Sequence, residues 1–510
     1  MGAVVFFLAA AVLLSAWLVT GANGAGRVTG AAGAPGAGGR WGWSGRLGSA
    51  GVRWGRWTGG ASERATGRDP ARWARRSDLR TLEVRAPTAG RLTLGVTGGR
   101  LLAADPGHSL LVVGPTQSFK TTGLAIPALL EWQGPVLAAS VKGDLVHDTV
   151  GWRRRQGTVW IYDPSASTDL GTAQWSPLSA SVTWAQARRV ADSLVEAGRT
   201  APGGLTDGDF WYATAAKLLG PLLLAATVSG RTMADVVRWV DVQETDEVVD
   251  ALESAGQWQA LQALRATWGR DERQRSAVYT TAETVVEVFA DPTVAASAVP
   301  GRRDVDPVGL LESGNTLYLC APAHEQRRLR PLFSGLVTRV IDAAYERAAR
   351  QGGRLDPPLL VVLDEAANVA PLAELDVLAS TAAGHGIQLV TVWQDLAQLT
   401  ARYGPRAGTV VNNHRAKLFL SGIGDPGTLD HASALIGEGE RPVTSTTIDR
   451  GRSAGSTTMT ATYRRLAPAD ALRRMAPGTA VLISGHLPPA RVRLRPWYRD
   501  PELQRRSTVD

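Results

Sequence analysis

The chain has 510 residues, 44 % of them hydrophobic and 20 % charged, a globular balance that excludes a disordered chain, a collagen-like repeat and a polytopic membrane protein. One cysteine, Cys320, excludes an intramolecular disulfide framework and a Cys-based zinc or iron–sulfur cluster, and the seven histidines show no H-E-x-x-H spacing. The net charge of +8 is concentrated in residues 22–80, where eleven arginines face only Glu63, Asp69 and Asp78. The rest of the chain is balanced, so its basic isoelectric point does not by itself signal a nucleic-acid binder.

In chain order, the first feature is an uncharged apolar run from Ala3 to Thr20, eighteen residues interrupted by Ser15 and the terminal Thr20. As a helix it reaches roughly 27 Å, enough to cross a bilayer core. A cleaved signal peptide is one reading, with Gly21, Ala22 and Gly24 as small residues for a peptidase. The segment has no Lys/Arg stretch before it, and all nearby positive charge follows it. That asymmetry favours a signal-anchor with the C-terminal body on the cytoplasmic side. Residues 22–70 are Gly/Ala/Arg-rich with Trp41, Trp43, Trp54 and Trp57 interleaved, a composition for a tether beside anionic headgroups rather than for a core.

From about Arg80 the texture changes. Short apolar runs at Leu110–Val113, Val136–Ala139, Val159–Tyr162, Leu317–Cys320, Leu359–Leu363 and Ile387–Val392 predict buried strands. Helical stretches between them predict a parallel α/β sheet. Between about Ser181 and Pro300 strand signals vanish and helical patterns take over, with Thr232 and Asp235 marking one helix start. This stretch reads as an all-α insertion into the α/β domain. The runs Ala480–Ile483 and Ala490–Leu494 read as closing strands.

The strand Leu110–Val113 leads into Gly114-Pro115-Thr116-Gln117-Ser118-Phe119-Lys120-Thr121-Thr122. A phosphate-binding loop has Gly, four residues, then Gly-Lys-Ser/Thr. The first glycine, the lysine and the threonine are in place, and a helical stretch follows. Within Gly114–Thr122 the backbone N–H groups at that helix N-terminus would cradle phosphates, Lys120 would reach the β/γ-phosphates of ATP, and the Thr121 hydroxyl would ligate Mg²⁺. Phe119 stands where the second glycine is expected. The chain has four lysines among 55 basic residues, so a lysine here is a departure from its habit and suits a slot needing a compact ammonium. The apolar run Leu359–Leu363 ends in Asp364-Glu365. There Asp364 would hold Mg²⁺ and Glu365 would polarise the attacking water. Gln394, just past the strand Ile387–Val392, would sense the γ-phosphate, and Arg415 would act in trans as an arginine finger. His385, His414 and His324 lack ligand-spaced partners and read as structural, and Cys320 as a small buried hydrophobe. The runs Arg153–Arg155 and Arg327–Arg330 read as solvated turns and helix faces, with contact to DNA phosphates as the other reading.

These residues resemble the TraG/TraD-type family of type IV coupling proteins, over about Gly90 to Asp500. Its carriers are Ser109–Thr122, Ile126–Leu130, Ser140-Val141-Lys142-Gly143-Asp144, Asp209-Phe210-Trp211, Leu363-Asp364-Glu365 and Gly384-His385-Gly386 leading to Gln394-Asp395-Leu396. Asp364 follows Lys120 by 244 residues, a gap that the family fills with a helical insert. The resemblance implies a RecA-like P-loop NTPase domain with an all-α insertion and an N-terminal transmembrane helix. The implied organisation is an anchor (1–21), a basic juxtamembrane linker (22–80), a nucleotide-binding domain in two parts (81–180 and 301–510) and the insertion (181–300). It implies ATP and Mg²⁺ as ligands, a homo-hexamer at the bacterial plasma membrane, and ATP-driven delivery of DNA or relaxase-bound DNA to a type IV secretion channel. It also implies Lys120 and Thr121 for nucleotide and Mg²⁺, Asp364 and Glu365 for hydrolysis, Gln394 as sensor and Arg415 as trans finger. Two departures from the family pattern are Phe119 and a single apolar N-terminal segment instead of two. An adaptor that binds nucleotide but turns it over poorly, and an FtsK-type double-strand translocase, are the alternative readings.

Overall fold

The computed structural model describes residues 71–140, 143–199, 206–447 and 456–508. The expected anchor, most of the basic linker, and Val141 and Lys142 lie outside the described residues.

The strands in chain order are β1 (Glu83–Val84), β2 (Thr93–Thr97), β3 (Arg100–Ala103), β4 (Leu110–Val113) and β5 (Val136–Ser140). Then come β6 (Val159–Tyr162), β7 (Thr316–Cys320), β8 (Leu359–Leu363), β9 (Ile387–Trp393) and β10 (Ala416–Leu420). The last are β11 (Glu438–Thr447), β12 (Ser456–Arg465), β13 (Thr479–Ser484) and β14 (Ala490–Arg493). Twelve of them form one sheet in the order β1-β3-β2-β14-β13-β10-β4-β9-β8-β5-β7-β6. From β10 to β6 every neighbour is parallel. From β10 outward to β1 every pairing is antiparallel. The remaining two, β11 and β12, pair as a separate long hairpin.

The parallel strands are short apolar runs because both of their faces are covered. Side chains alternate between the faces. Leu111, Val113, Leu137, Val361 and Leu363 enter one core, while Leu110, Val112, Val136, Val362 and Val390 enter the other. The first core continues without a break into the helices between β6 and β7, including Trp184–Gly198, Thr206–Val228, Met233–Asp241, Trp258–Trp268 and Glu272–Val286. Thr232 and Asp235 form a reciprocal capping box at the start of Met233–Asp241.

Gly208–Val228 is the one helix among the described residues long and apolar enough to cross a membrane. Its composition has a different cause here. Leu218, Leu219, Leu222, Leu223 and Leu224 are fully buried against the surrounding helices, and a helix surrounded on all sides is apolar all round.

One expectation is corrected. Arg153 is not on a solvated face but fully buried. Its guanidinium donates to the carbonyls of Trp132, Gly134 and Gly314 and to the Thr316 hydroxyl at 2.7–2.9 Å. These bonds tie the turn before β5 to the turn before β7, and burial pulls its pKa down to about 10.

Replacing Leu222 by Ala opens a cavity at the centre of the helical layer. It should lower the stability of the chain by about 2–5 kcal/mol in denaturant unfolding. A loss below about 1 kcal/mol would contradict the buried placement of this helix.

Candidate nucleotide site

The parallel registers align the carboxyl ends of β4, β9, β8 and β5, since Val113 pairs with Trp393, Thr391 with Leu363, and Leu363 with Ala139. Loops leaving those ends converge, as they do at ligand crevices of α/β sheets generally. The order β4-β9-β8 puts the strand carrying Gln394 directly between the lysine loop and the Asp364-Glu365 turn. The Gly114 amide donates to the carbonyl of Trp393, the residue before Gln394, at 3.0 Å.

The loop takes its shape from backbone constraints. A Cβ on Gly114 would sit 2.8 Å from both Ser118 Oγ and Leu420 Cβ, so only glycine fits. Gln117 and Phe119 have φ of 62° and 68°. At Phe119 this is the left-handed conformation for which glycine is favoured at that place, adopted here by an aromatic residue at a cost of roughly 1–2 kcal/mol. Its ring turns outward. The ring edge lies 3.8 Å from where a Cβ on Gly478 would be, and the side chain packs on the second core. The cradle side of the loop is therefore left to the backbone. After it, the helical run Thr121–Ala125 and Ile126–Glu131 begins with no acidic residue in its first turn and no side-chain cap. A helix N-terminus without a side-chain cap suits an anion.

Lys120 is buried and its ammonium donates to the carbonyls of Gly114 (2.7 Å) and Pro115. Thr121 Oγ1 donates to Asp364 Oδ2 at 2.7 Å, and Ser140 Oγ approaches the same oxygen at 3.4 Å. The other oxygen, Asp364 Oδ1, is buried with no hydrogen-bond partner. Burial pushes the Asp364 carboxyl up to about 6, against the Thr121 bond and the Lys120 charge that favour its ionised form; Glu365 and Asp144 add to the rise. A buried carboxylate with one orphaned oxygen beside a threonine hydroxyl fits a hard, oxygen-liganded cation such as Mg²⁺.

Glu365 follows with φ 64°, and its Oε2 accepts from Asn368 Nδ2 at 3.3 Å. The Gln394 amide donates to Gln398 Oε1 at 3.0 Å, which fixes the turn after β9. Lys120, Thr121, Asp364, Glu365 and Gln394 thus belong to one end of the sheet. Arg415 does not. It is exposed just before Ala416, which pairs with Leu110 at the opposite end of β4, roughly 13 Å of strand away from Gly114. Beside it, His414 is fully buried between Thr391 Oγ1 (3.0 Å) and the Val410 carbonyl (2.8 Å), and burial holds its pKa down to about 4. Cys320 is buried too, its thiol pushed up to about 12. No His/Cys/Asp/Glu cluster able to hold a metal occurs among the described residues.

Sequence reasoning missed three residues. Ser140 and Asn368 touch the two carboxylates, and Arg330 holds Asn368. The spacing Glu365-x-x-Asn368 was a signal for one; Arg330 stood out only as part of the run Arg327–Arg330, with nothing to tie it to Asn368.

The sequence profile described as "Type IV secretory system Conjugative DNA transfer" matches residues 71–510. The chain belongs to this family. It is 25 % identical over 420 residues to a conjugal transfer protein TraG of Escherichia coli, covering 72 % of this chain and 64 % of that protein. To the VirD4 protein of Rhizobium rhizogenes it is 24 % identical over 404 residues, covering 75 % and 58 %. The chain thus spans less than two thirds of these relatives' length. Among solved structures it resembles the conjugative coupling protein TrwBdeltaN70, with a TM-score of 0.63 at 21 % identity over 83 % of this chain and 93 % of that one. TrwB in complex with ADP and Mg²⁺ gives a TM-score of 0.62 at 20 % identity over 84 % and 93 %. The fold is the RecA-like α/β NTPase fold.

Phe119→Gly and Phe119→Ala both lose the ring's packing, but only alanine keeps a Cβ in the left-handed conformation. The glycine variant should be the more stable of the two by about 1 kcal/mol in denaturant unfolding. Equal stabilities would contradict the strain assigned to this position.

Proposed function

We propose that the chain is a membrane-anchored ATPase that recruits DNA or relaxase-bound DNA and drives it into a conjugative type IV secretion channel. It would work as a homo-hexamer at the bacterial plasma membrane, held by a single N-terminal span with its body in the cytoplasm. The observation that carries this reading is the 2.7 Å bond from Thr121 to Asp364, which places the lysine loop against the acidic turn. Family membership over residues 71–510 supports the cargo assignment.

In this reading the backbone amides of residues 116–122 grip the phosphates of ATP. Lys120 leaves the carbonyls of Gly114 and Pro115 and neutralises the β/γ-phosphates. Thr121 and Asp364 would hold Mg²⁺, which would supply charge stabilisation at the transferring phosphoryl group. Glu365 accepts a proton from the attacking water, and Gln394, between the two motifs, senses the γ-phosphate. Arg415, at the far end of β4 and exposed, serves the nucleotide of a neighbouring subunit. The outward ring of Phe119 is compatible with the grip, since the backbone takes the glycine-like conformation without filling the cradle.

Turnover and nucleotide affinity of the full chain, with and without DNA, test the proposal. Lys120→Ala should abolish turnover. Glu365→Gln should keep nucleotide binding and lose about 10²–10⁴-fold in turnover, the usual contribution of a general base. Arg415→Ala should likewise spare binding and stop turnover, whereas loss of both would remove the trans-finger role. Binding without turnover in the wild type, restored by Phe119→Gly, would favour the adaptor instead.

A further inference from the structure

The turn after β8 is tied to a helix that no part of the proposed chemistry uses. Arg330 lies in the first turns of Gln326–Arg350, which follows β7. Its Nε donates to the Asn368 carbonyl at 3.1 Å, and a terminal nitrogen donates to Asn368 Oδ1 at 3.4 Å. Asn368 Nδ2 in turn donates to Glu365 Oε2 at 3.3 Å. The chain Arg330–Asn368–Glu365 runs from a half-buried cation to the carboxylate placed at the attacking water.

The charge balance around Arg330 is one-sided. Arg328 pairs with Asp291 and Glu325, and Arg402 with Glu196. Among the described residues no carboxylate lies within ion-pair distance of Arg330 or of Arg327, one helical turn away and exposed. Burial, then Arg402 and Arg327, pull the Arg330 pKa down, with no acidic group opposing. A guanidinium has five N–H donors, and two bonds to Asn368 leave donors for an oxyanion. The same helix starts with no side-chain cap and no acidic residue in its first turn. Two unpaired arginines at i and i+3 make a forked site for phosphate oxygens.

We infer that Arg327 and Arg330 form a phosphodiester-binding site for the single-stranded DNA cargo and that Arg330 relays its occupancy to Glu365 through Asn368. This deepens the function proposed above and rests on it for the nature of the cargo. A backbone phosphate on the free side of Arg330 offsets its repulsion from Arg327 and Arg402. The guanidinium then holds Asn368 more firmly, and Asn368 holds Glu365. Arg330 and Asn368 are positioning residues, acting through Glu365.

Hydrogen exchange in the full chain reads this coupling without needing turnover. The reporters are the Asn368 and Val369 amides, which donate to the Glu365 carbonyl at 2.9 and 3.2 Å. A single-stranded oligonucleotide should slow their exchange about tenfold in the wild type, the scale of one charge-assisted bond. Lys120→Ala should keep that response, so the relay and the ATPase reading fail separately. Arg330→Gln, which can still bond Asn368 but carries no charge, should lose it, as should Asn368→Ala, while both still bind ATP. Arg330→Lys should recover part of it, separating charge from folding. An unchanged wild-type pattern, or an Arg330→Gln response equal to wild type, would overturn the inference. So would a response evoked by ATP or inorganic phosphate but not by the oligonucleotide.

Discussion

A single hydrogen bond, Thr121 Oγ1 to Asp364 Oδ2 at 2.7 Å, joins residues 243 positions apart, and the arrangement of the site depends on it. It exists because β4, β9 and β8 run parallel in adjacent places with their carboxyl ends level. Asp364 is buried by the same geometry. One oxygen is satisfied by Thr121 and the other is orphaned, and burying such a carboxylate costs free energy unless a cation completes it. In the function proposed above, Mg²⁺ would complete that carboxylate.

The loop before Thr121 shows how backbone conformation and side-chain identity separate. What the nest needs at position 119 is a positive φ; glycine is the low-cost way to provide it. Here φ is 68° with an aromatic residue, and the surroundings offset part of the strain by seating the ring against Gly478 and the second core. Strain held at a ligand-gripping turn by over-determined packing is a recurrent feature of functional sites.

Much of the α/β body was legible in the sequence because its signals are local. Each parallel strand from β4 to β9 falls on an apolar run bounded by Gly, Pro or charge, and the lysine loop and the Asp364-Glu365 turn sit at the ends of two such runs. The trans-acting reading of Arg415 rests on its place before a strand and on the family resemblance, and the fold sets it at the opposite end of β4 from the lysine loop. What could not be read was tertiary. The helix Trp258–Trp268 buries only Ala260, Leu261, Leu264 and Thr267, too sparse a stripe to stand out beside its exposed tryptophan. Arg153 looked like a surface cation because nothing in an arginine run shows that carbonyls from two other turns will surround it. The edge strands β1 to β3 have weak patterns and are defined by their pairing. Ser140 and Arg330 reach the site from elements whose positions only the fold decides.

The central claim is that this loop, despite Phe119, grips a triphosphate beside Asp364. The most direct measurement is a structure of the chain with Mg²⁺ and a non-hydrolysable ATP analogue. The account predicts β/γ-phosphate oxygens within hydrogen-bond distance of Lys120 Nζ and the loop amides, a cation between Thr121 and Asp364, and the Phe119 ring still against Gly478. Nucleotide bound elsewhere, or an aromatic ring swung into the loop in place of phosphate, would contradict it.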